Sequence, residues 1–278
     1  MTDHIKGKSI IITGAASGFG MLVSQQAAAM GAKITCADVN QEALDAVVSA
    51  LTEQGYAAQG VVTDVSDAAQ MYALGEAAIE KFGAIDVMVN NAGIMPLAFF
   101  ADHKDALAKW HQCIDINFKG VVNGIAAVHD QMIKQGRGQV INVSSIFGNA
   151  PVLGGGVYAA TKAAVNFISE NLRLESQGKI KVTTIRPTAV PGTKLNETVV
   201  NPATSVGILG HNGPEIMQRM AELGDAYLDD FNADQDSMGC QALDPAHIAG
   251  AIIHAINQPW GVSVSDITVR CSGEQVIL

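Results

Sequence analysis

Ser9-Ile10-Ile11-Ile12-Thr13-Gly14-Ala15-Ala16-Ser17-Gly18-Phe19-Gly20 is the stretch on which the fold turns. A short β-branched run reads as a buried strand. It ends in a turn carrying three glycines, and a helical stretch, Met21–Met30, follows at once. Glycines let the backbone turn tightly and let a ligand approach it closely. The helix N-terminus then presents unpaired N–H groups and a partial positive charge to an anion. Gly14, Ser17, Gly18, Phe19 and Gly20 are therefore the candidate cradle for the pyrophosphate of a dinucleotide. A glycine-rich turn by itself also serves as an ordinary strand-to-helix connection, so the rest of the chain must agree.

The same alternation continues outward from this stretch. Apolar runs at Lys33–Ala37, Ala58–Val62, Ile85–Asn90, Gln139–Val143, Lys181–Ile185 and Asp266–Arg270 join Ser9–Thr13 as seven predicted strands. Between them, Gln41–Gln54 aligns Leu44, Val47, Val48 and Leu51, and Ala68–Phe82 aligns Met71, Leu74, Ala78 and Phe82, both with the helical period. Strands alternating with helices predict an α/β fold, a doubly wound Rossmann-type parallel sheet with helices on both faces and right-handed crossovers. All 278 residues fit one such domain. The rhythm breaks at about 194–244, a stretch rich in Gly, Asn, Asp and Met. It holds at most two short helical pieces, Pro214–Leu223 and about Ala226–Phe231, and is expected to form a substrate lid between Pro191-Gly192 and Asp244-Pro245.

Composition excludes several classes. Hydrophobic residues make up 48% and charged residues 16%, enough for a large core, and with 5% aromatics that core is aliphatic. The net charge of −10 and the lack of any Lys/Arg cluster argue against nucleic acid and against an anionic membrane surface. The first strand begins by about residue 9, leaving no room for a signal peptide, and the uncharged stretch Gly138–Thr161 is broken by Gly, Asn, Ser and Pro. Cys36, Cys113, Cys240 and Cys271 are scattered without a CxxC pair, which fits reduced thiols in a cytoplasmic protein. The seven histidines show no metal-ligand spacing, and Asp225–Asp236 does not match a calcium loop, so no metal is expected.

Chemistry-bearing residues follow in order. Asp38 closes the second strand, eighteen residues past Gly20. A carboxylate there can bind both adenosine ribose hydroxyls and repel a 2′-phosphate, and no Arg or Lys stands at Ala15–Ser17 or Val39–Gln41 to accept that phosphate. The expected cofactor is NAD. Asp38 can equally cap the helix from Gln41, and the two roles are compatible. Tyr158 and Lys162 are four apart, one helical turn, so they point the same way. Ser145 stands thirteen residues before Tyr158 at the end of a strand, with Ser144 as its rival. A neighbouring ammonium, Lys162, and the positive charge of an oxidised nicotinamide are both expected to hold the tyrosine well below its ordinary pKa of about 10, as a base at neutral pH requires.

In this pattern the chain resembles the short-chain dehydrogenase/reductase family, in its single-domain branch with a TGxxxGxG cradle and a YxxxK pair. The resemblance spans nearly the whole length and rests on Thr13–Gly20, Asp38, Asp64, Asn90–Gly93, Asn117, Ser145, Tyr158 and Lys162. It implies strand order 3-2-1-4-5-6-7 and an oxidoreductase moving a hydride between NAD(H) and a secondary alcohol or ketone. Tyr158 would be the general acid/base and Ser145 the partner of the substrate oxygen. Lys162 would also bond the nicotinamide ribose. Asn117 would hold a water of the proton relay, or bridge backbone groups as a buried amide. Asp64 would meet the adenine amino group, with the Val65 backbone nearby, or cap a turn. Asn91, Ala92 and Gly93 would lie along the adenosine ribose, Asn90 would tie the central strands, and Val190 would offer its backbone to the carboxamide. The family further implies a homotetramer pairing through two long helices, here Leu107–Lys134 and Tyr158–Gln177. One departure stands in Pro187-Thr188-Ala189-Val190-Pro191-Gly192-Thr193, where Thr188 replaces a family glycine and Thr193 comes one residue late. Met95, Leu97, Phe147, Leu153 and the lid methionines are candidates for an apolar pocket or for core. The rival readings are a lyase or isomerase with tightly held NAD and a non-catalytic NAD-binding regulator.

Overall fold

The structure, a computed structural model, describes residues 3–188, 190, 193–209, 212–214, 218, 221–222 and 235–274. Seven strands form one parallel sheet: β1 Ser9–Thr13, β2 Lys33–Asp38, β3 Ala58–Val62, β4 Val87–Asn90, β5 Gly138–Val143, β6 Ile180–Pro187 and β7 Asp266–Val269. Their order is β3-β2-β1-β4-β5-β6-β7, as the resemblance implies. The helices are α1 Gly18–Ala29, α2 Gln41–Glu53, α3 Ala68–Phe82, α4 His103–Ile114, α5 Gly120–Gln135, α6 Gly156–Glu175, α7 Thr204–Leu209 and α8 Pro245–Ile256.

Both faces of the sheet are covered, which is why its strands read as unbroken apolar runs. Ile10 and Ile12 point to one side, where α1, α2 and α8 contribute Val23, Leu44, Leu51, Ile248 and Ile252. Ile11 points to the other, against Met71, Leu74, Val128, Met132 and Leu172 of α3, α5 and α6. Helix ends follow local chemistry. Asp67 caps α3 by accepting from Ala69 N and Gln70 N, and Gly83, at φ +83°, closes it in the left-handed region that glycine favours.

Some boundaries move. The fourth strand starts at Val87 instead of Ile85, because the Gln135 side-chain amide takes both backbone groups of Ile85, at 3.0 and 2.9 Å. The long helix expected over Leu107–Lys134 is two helices, α4 and α5, joined through a π-helical turn, Asp115–Lys119. Within the expected lid, a 3-10 turn spans Lys194–Thr198 and α7 follows. The helical piece expected at Ala226–Phe231, most of that at Pro214–Leu223, and the Pro191-Gly192 hinge lie outside the described residues. Among the described residues no helix is long and apolar enough to cross a membrane.

The order reverses between β1 and β4, and the carboxyl ends of these neighbouring strands open a crevice where ligands bind in open α/β sheets.

Candidate active site

The crevice is built around the turn after β1. Thr13 Oγ1 accepts from Asn91 N at 3.1 Å and Ala92 N at 3.2 Å, and so laces the β1 turn to the β4 turn. Asn91 Nδ2 donates to the carbonyls of Thr13 (2.9 Å) and Gly14 (3.2 Å). Gly14 and Gly18 have φ of +64° and +53°. Gly20 is required for another reason: a Cβ there would lie 2.2 Å from the Gly14 carbonyl oxygen. Ser17, at the N-cap of α1, places no side-chain hydrogen bond over the first turn, so the helix N-terminus faces the crevice uncapped.

Asp38 and Asp64 both line the crevice. Asp38 accepts from Ala16 N (3.1 Å) and Asn40 N (3.0 Å), which pins the cradle to the end of β2. It does not cap α2; Asn40 does, accepting from Ala43 N at 3.0 Å. Asp64 Oδ1 holds a turn by accepting from Ser66 N and Ser66 Oγ at 2.9 and 2.7 Å, while the cap of α3 falls to Asp67.

At the other end of the crevice, α6 presents Tyr158 and Lys162 opposite the end of β5. Lys162 Nζ donates to Val143 O at 2.9 Å and lies 5.6 Å from the centre of the Tyr158 ring. Phe147 meets that ring edge-on at 6.0 Å. Ser145 shares a hydrogen bond with the Tyr158 side chain and also accepts from Phe147 N at 3.2 Å. Ser144 donates instead to Lys162 O at 3.0 Å and helps seat α6. Burial drives the Tyr158 phenol well above its usual range, against a smaller downward pull from Ser145. Burial also lowers the Lys162 ammonium to about 8. The expected drop of Tyr158 is therefore not met in the protein alone: desolvation dominates, and the Lys162 ammonium is engaged by the Val143 carbonyl.

Asn117, fully buried in the π turn, acts as a bridging amide. Its Oδ1 accepts from Ile94 N at 2.9 Å and its Nδ2 donates to Ile94 O at 2.8 Å. Asn90 ties β4 to β5 by donating to Asn142 Oδ1 at 2.8 Å.

Cradle and tyrosine pair share one cavity of about 570 Å³. Its wall contains Gly14, Ser17, Gly18, Phe19, Asp38, Asp64, Val65, Asn91, Ala92, Gly93, Ser145, Tyr158, Lys162 and Val190. Gly20 and Asn117 stand one layer behind it, buried. Thr193 does reach the wall, within 3.8 Å of where a Gly18 Cβ would sit. Met95, Leu97 and Phe147 line the cavity, whereas Leu153 is exposed away from it. Sequence reasoning missed Thr63, Ile116, Ile146, Val199 and Ile208, which carry no motif and enter the wall only through tertiary packing. Among the described residues no His/Cys/Asp/Glu group could hold a metal.

A family model of the short chain dehydrogenases matches residues 8–203, and the chain belongs to that family, whose members are oxidoreductases that bind a nicotinamide cofactor and act on small molecules. An uncharacterised oxidoreductase of Listeria monocytogenes is 37% identical over 268 residues, covering 95% of this chain and 96% of its own. Among solved structures, a 7α-hydroxysteroid dehydrogenase complexed with NADH and 7-oxo glycochenodeoxycholic acid superposes with a TM-score of 0.78 at 26% identity, over 98% of this chain and 96% of that one. The closed form of a serine dehydrogenase complexed with NADP+ gives 0.75 at 27% identity, over 94% and 93%.

Proposed function

We propose that this protein is an NAD-dependent dehydrogenase that interconverts a secondary alcohol and its ketone, with Tyr158 as the proton carrier. The observation that carries the reading is the single cavity joining the glycine cradle to Ser145, Tyr158 and Lys162. The cradle fits a dinucleotide: the N-terminus of α1 there carries no side-chain cap, and a Cβ at Gly20 would strike the Gly14 carbonyl. When bound, the nicotinamide ring supplies the hydride acceptor or donor.

The chain's own residues handle the proton and the oxygen. Tyr158, kept protonated by burial, is poised to donate to a ketone oxygen. Ser145 stands beside it to hold the same oxygen and steady its developing charge. In the oxidative direction Tyr158 must lose its proton, and Lys162 is the adjacent cation that stabilises the phenolate. Asn117 keeps Ile94, and with it the wall facing Lys162, in place. Asp38 supports the choice of NAD, since a 2′-phosphate would meet its carboxylate with no basic residue at 15–17 or 39–41 to offset it. The similar structures carry NADH in one case and NADP+ in the other, and their substrates differ as widely.

Steady-state assays of alcohols with each cofactor test this. NAD is expected to exceed NADP at least about tenfold in kcat/KM, roughly 1.4 kcal/mol. Tyr158→Phe is expected to retain NADH binding and lose at least about a hundredfold in turnover. Equal use of both cofactors would refute the role of Asp38, and substantial turnover by the variant would refute that of Tyr158. Catalytic instead of stoichiometric use of NAD would favour a lyase or isomerase.

We further propose that 194–244 covers the substrate end, that the chain forms a homotetramer through α4–α5 and α6, and that it works in the cytoplasm. Exposed Leu107, Ile114, Phe167 and Leu174 on these helices support self-association, and four free thiols suit a reducing compartment. A monomer by light scattering would remove the tetramer.

A further inference from the structure

The two ends of the cavity differ in chemistry. Both of its carboxylates, Asp38 and Asp64, lie at the cradle end, among the described residues. Around Tyr158 the wall is hydrocarbon: Ile94, Met95, Leu97, Phe147, Val199 and Ile208 pack there as one cluster. Among the described residues, the buried and half-buried polar side chains Thr198, Thr188 and Ser144 at this end are engaged by the protein. Thr198 Oγ1 accepts from Met95 N at 2.7 Å and donates to Leu195 O at 2.6 Å. Thr188 donates to the Glu274 carboxylate, and Ser144 to Lys162 O. Ser145 and Tyr158 remain as the paired hydroxyls that face a substrate oxygen, while Lys194 and Asn196 are exposed in the turn that opens to solvent.

Among the described residues around Tyr158, this distribution offers a buried partner to one oxygen and hydrocarbon to the rest of the substrate. A second hydroxyl, an ammonium or a carboxylate next to the carbinol carbon would be buried against methyl and aromatic groups without a partner, which disfavours binding. Apolar surface on either side of the carbinol would be removed from water, which favours it. We infer that the substrate is a hydrocarbon-framed secondary alcohol or its ketone, free of polar groups around the reacting carbon, and not a polyol, hydroxy acid or amino alcohol. This assignment rests on the dehydrogenase reading above.

The test is steady-state kinetics of the full-length protein with NAD on two sets of alcohols. The first runs 2-propanol, 2-octanol, cyclohexanol and decahydro-2-naphthol; the second is glycerol, gluconate and L-threonine, each with a secondary hydroxyl flanked by polar groups. From 2-propanol to decahydro-2-naphthol, kcat/KM is expected to rise at least about tenfold, the contribution of even one buried methylene. The polar set is expected at least about a hundredfold below the best apolar alcohol. In Ile208→Ala the ratio of kcat/KM for decahydro-2-naphthol over 2-propanol is expected to fall by about tenfold. A polar alcohol that matches or exceeds the apolar set, or a flat response to hydrocarbon size, overturns the substrate class and leaves the dehydrogenase reading standing. No turnover of either set, with NADH binding retained, overturns the dehydrogenase reading and the substrate class with it.

Discussion

Replacing Gly20 by alanine adds one methyl group at the point where α1 leaves the cradle. That methyl carbon would stand 2.2 Å from the Gly14 carbonyl oxygen, 2.7 Å from Asn91 Nδ2 and 2.8 Å from the Gly14 carbonyl carbon. Ordinary carbon-to-oxygen contacts lie at about 3.3 Å or more, so the shortfall is about 1 Å. The obstacle is not the free end of a side chain. Gly14 is set by its positive φ and by the hydrogen bond from Asn91, so α1 must retreat or the cradle must deform. Overpacking of this kind costs about 1–3 kcal/mol, and a clash against backbone belongs at the upper end. At about 2–4 °C per kcal/mol for a chain of this size, a loss of about 3 kcal/mol lowers the Tm by roughly 6–12 °C. NADH affinity, read by fluorescence titration, should fall as well, because the N–H groups of the cradle move. Gly250→Ala adds the same methyl inside α8, where it would meet nothing within 4 Å. It should stabilise by up to about 1 kcal/mol through helix propensity. A Gly20→Ala protein that melts with the wild type and binds NADH equally well would refute the reasoning.

Two further outcomes follow from the buried polar groups. Lys162→Met should abolish turnover and relieve up to about 3 kcal/mol of desolvation cost at neutral pH, because the folded state holds the ammonium at about 8 against an ordinary value of 10.5, offset by about 1–3 kcal/mol for the Val143 carbonyl left without its donor. Below pH 8 the wild type bears the desolvation cost in full; as pH rises through 8 toward 10.5 the cost fades, so urea unfolding should show the stability of the variant relative to the wild type fall between pH 7 and pH 10.5, and a difference equal at both pH values would sink the idea. Asn117→Ala strips Ile94 N of its partner and leaves Ile94 O only the longer hydrogen bond from Cys113 Sγ, at 3.7 Å, in a half-buried turn. The expected loss is about 2–4 kcal/mol in denaturant unfolding, and a loss within error of zero would mean that Ile94 finds other partners.

Seven strands, the glycine cradle and the Tyr158–Lys162 spacing were legible in the chain because each is local. Backbone periodicity sets which residues share a face within one element, and a turn needing a left-handed residue shows itself as glycine. Strand order came from resemblance and matches the sheet. Asp38 and Ser145 are legible from their positions at strand ends and Val190 from the resemblance, and their places in the cavity wall follow once the strands are assembled. Pairings between distant segments were not legible. The sequence does not say that Asn40 caps α2 and leaves Asp38 to hold the cradle, or that the Asn117 amide closes on Ile94 through a π turn. It does not say that Thr188 is held by Glu274, or that Cys240 and Cys271, thirty-one positions apart, share a side-chain hydrogen bond. Nor does composition tell that burial raises Tyr158 when a lysine stands one helical turn away. Local hydrogen-bond geometry is written in short windows of the chain. Desolvation, side-chain partners and the wall of a cavity depend on which segments the packed sheet and helices bring together, and only the tertiary structure decides that.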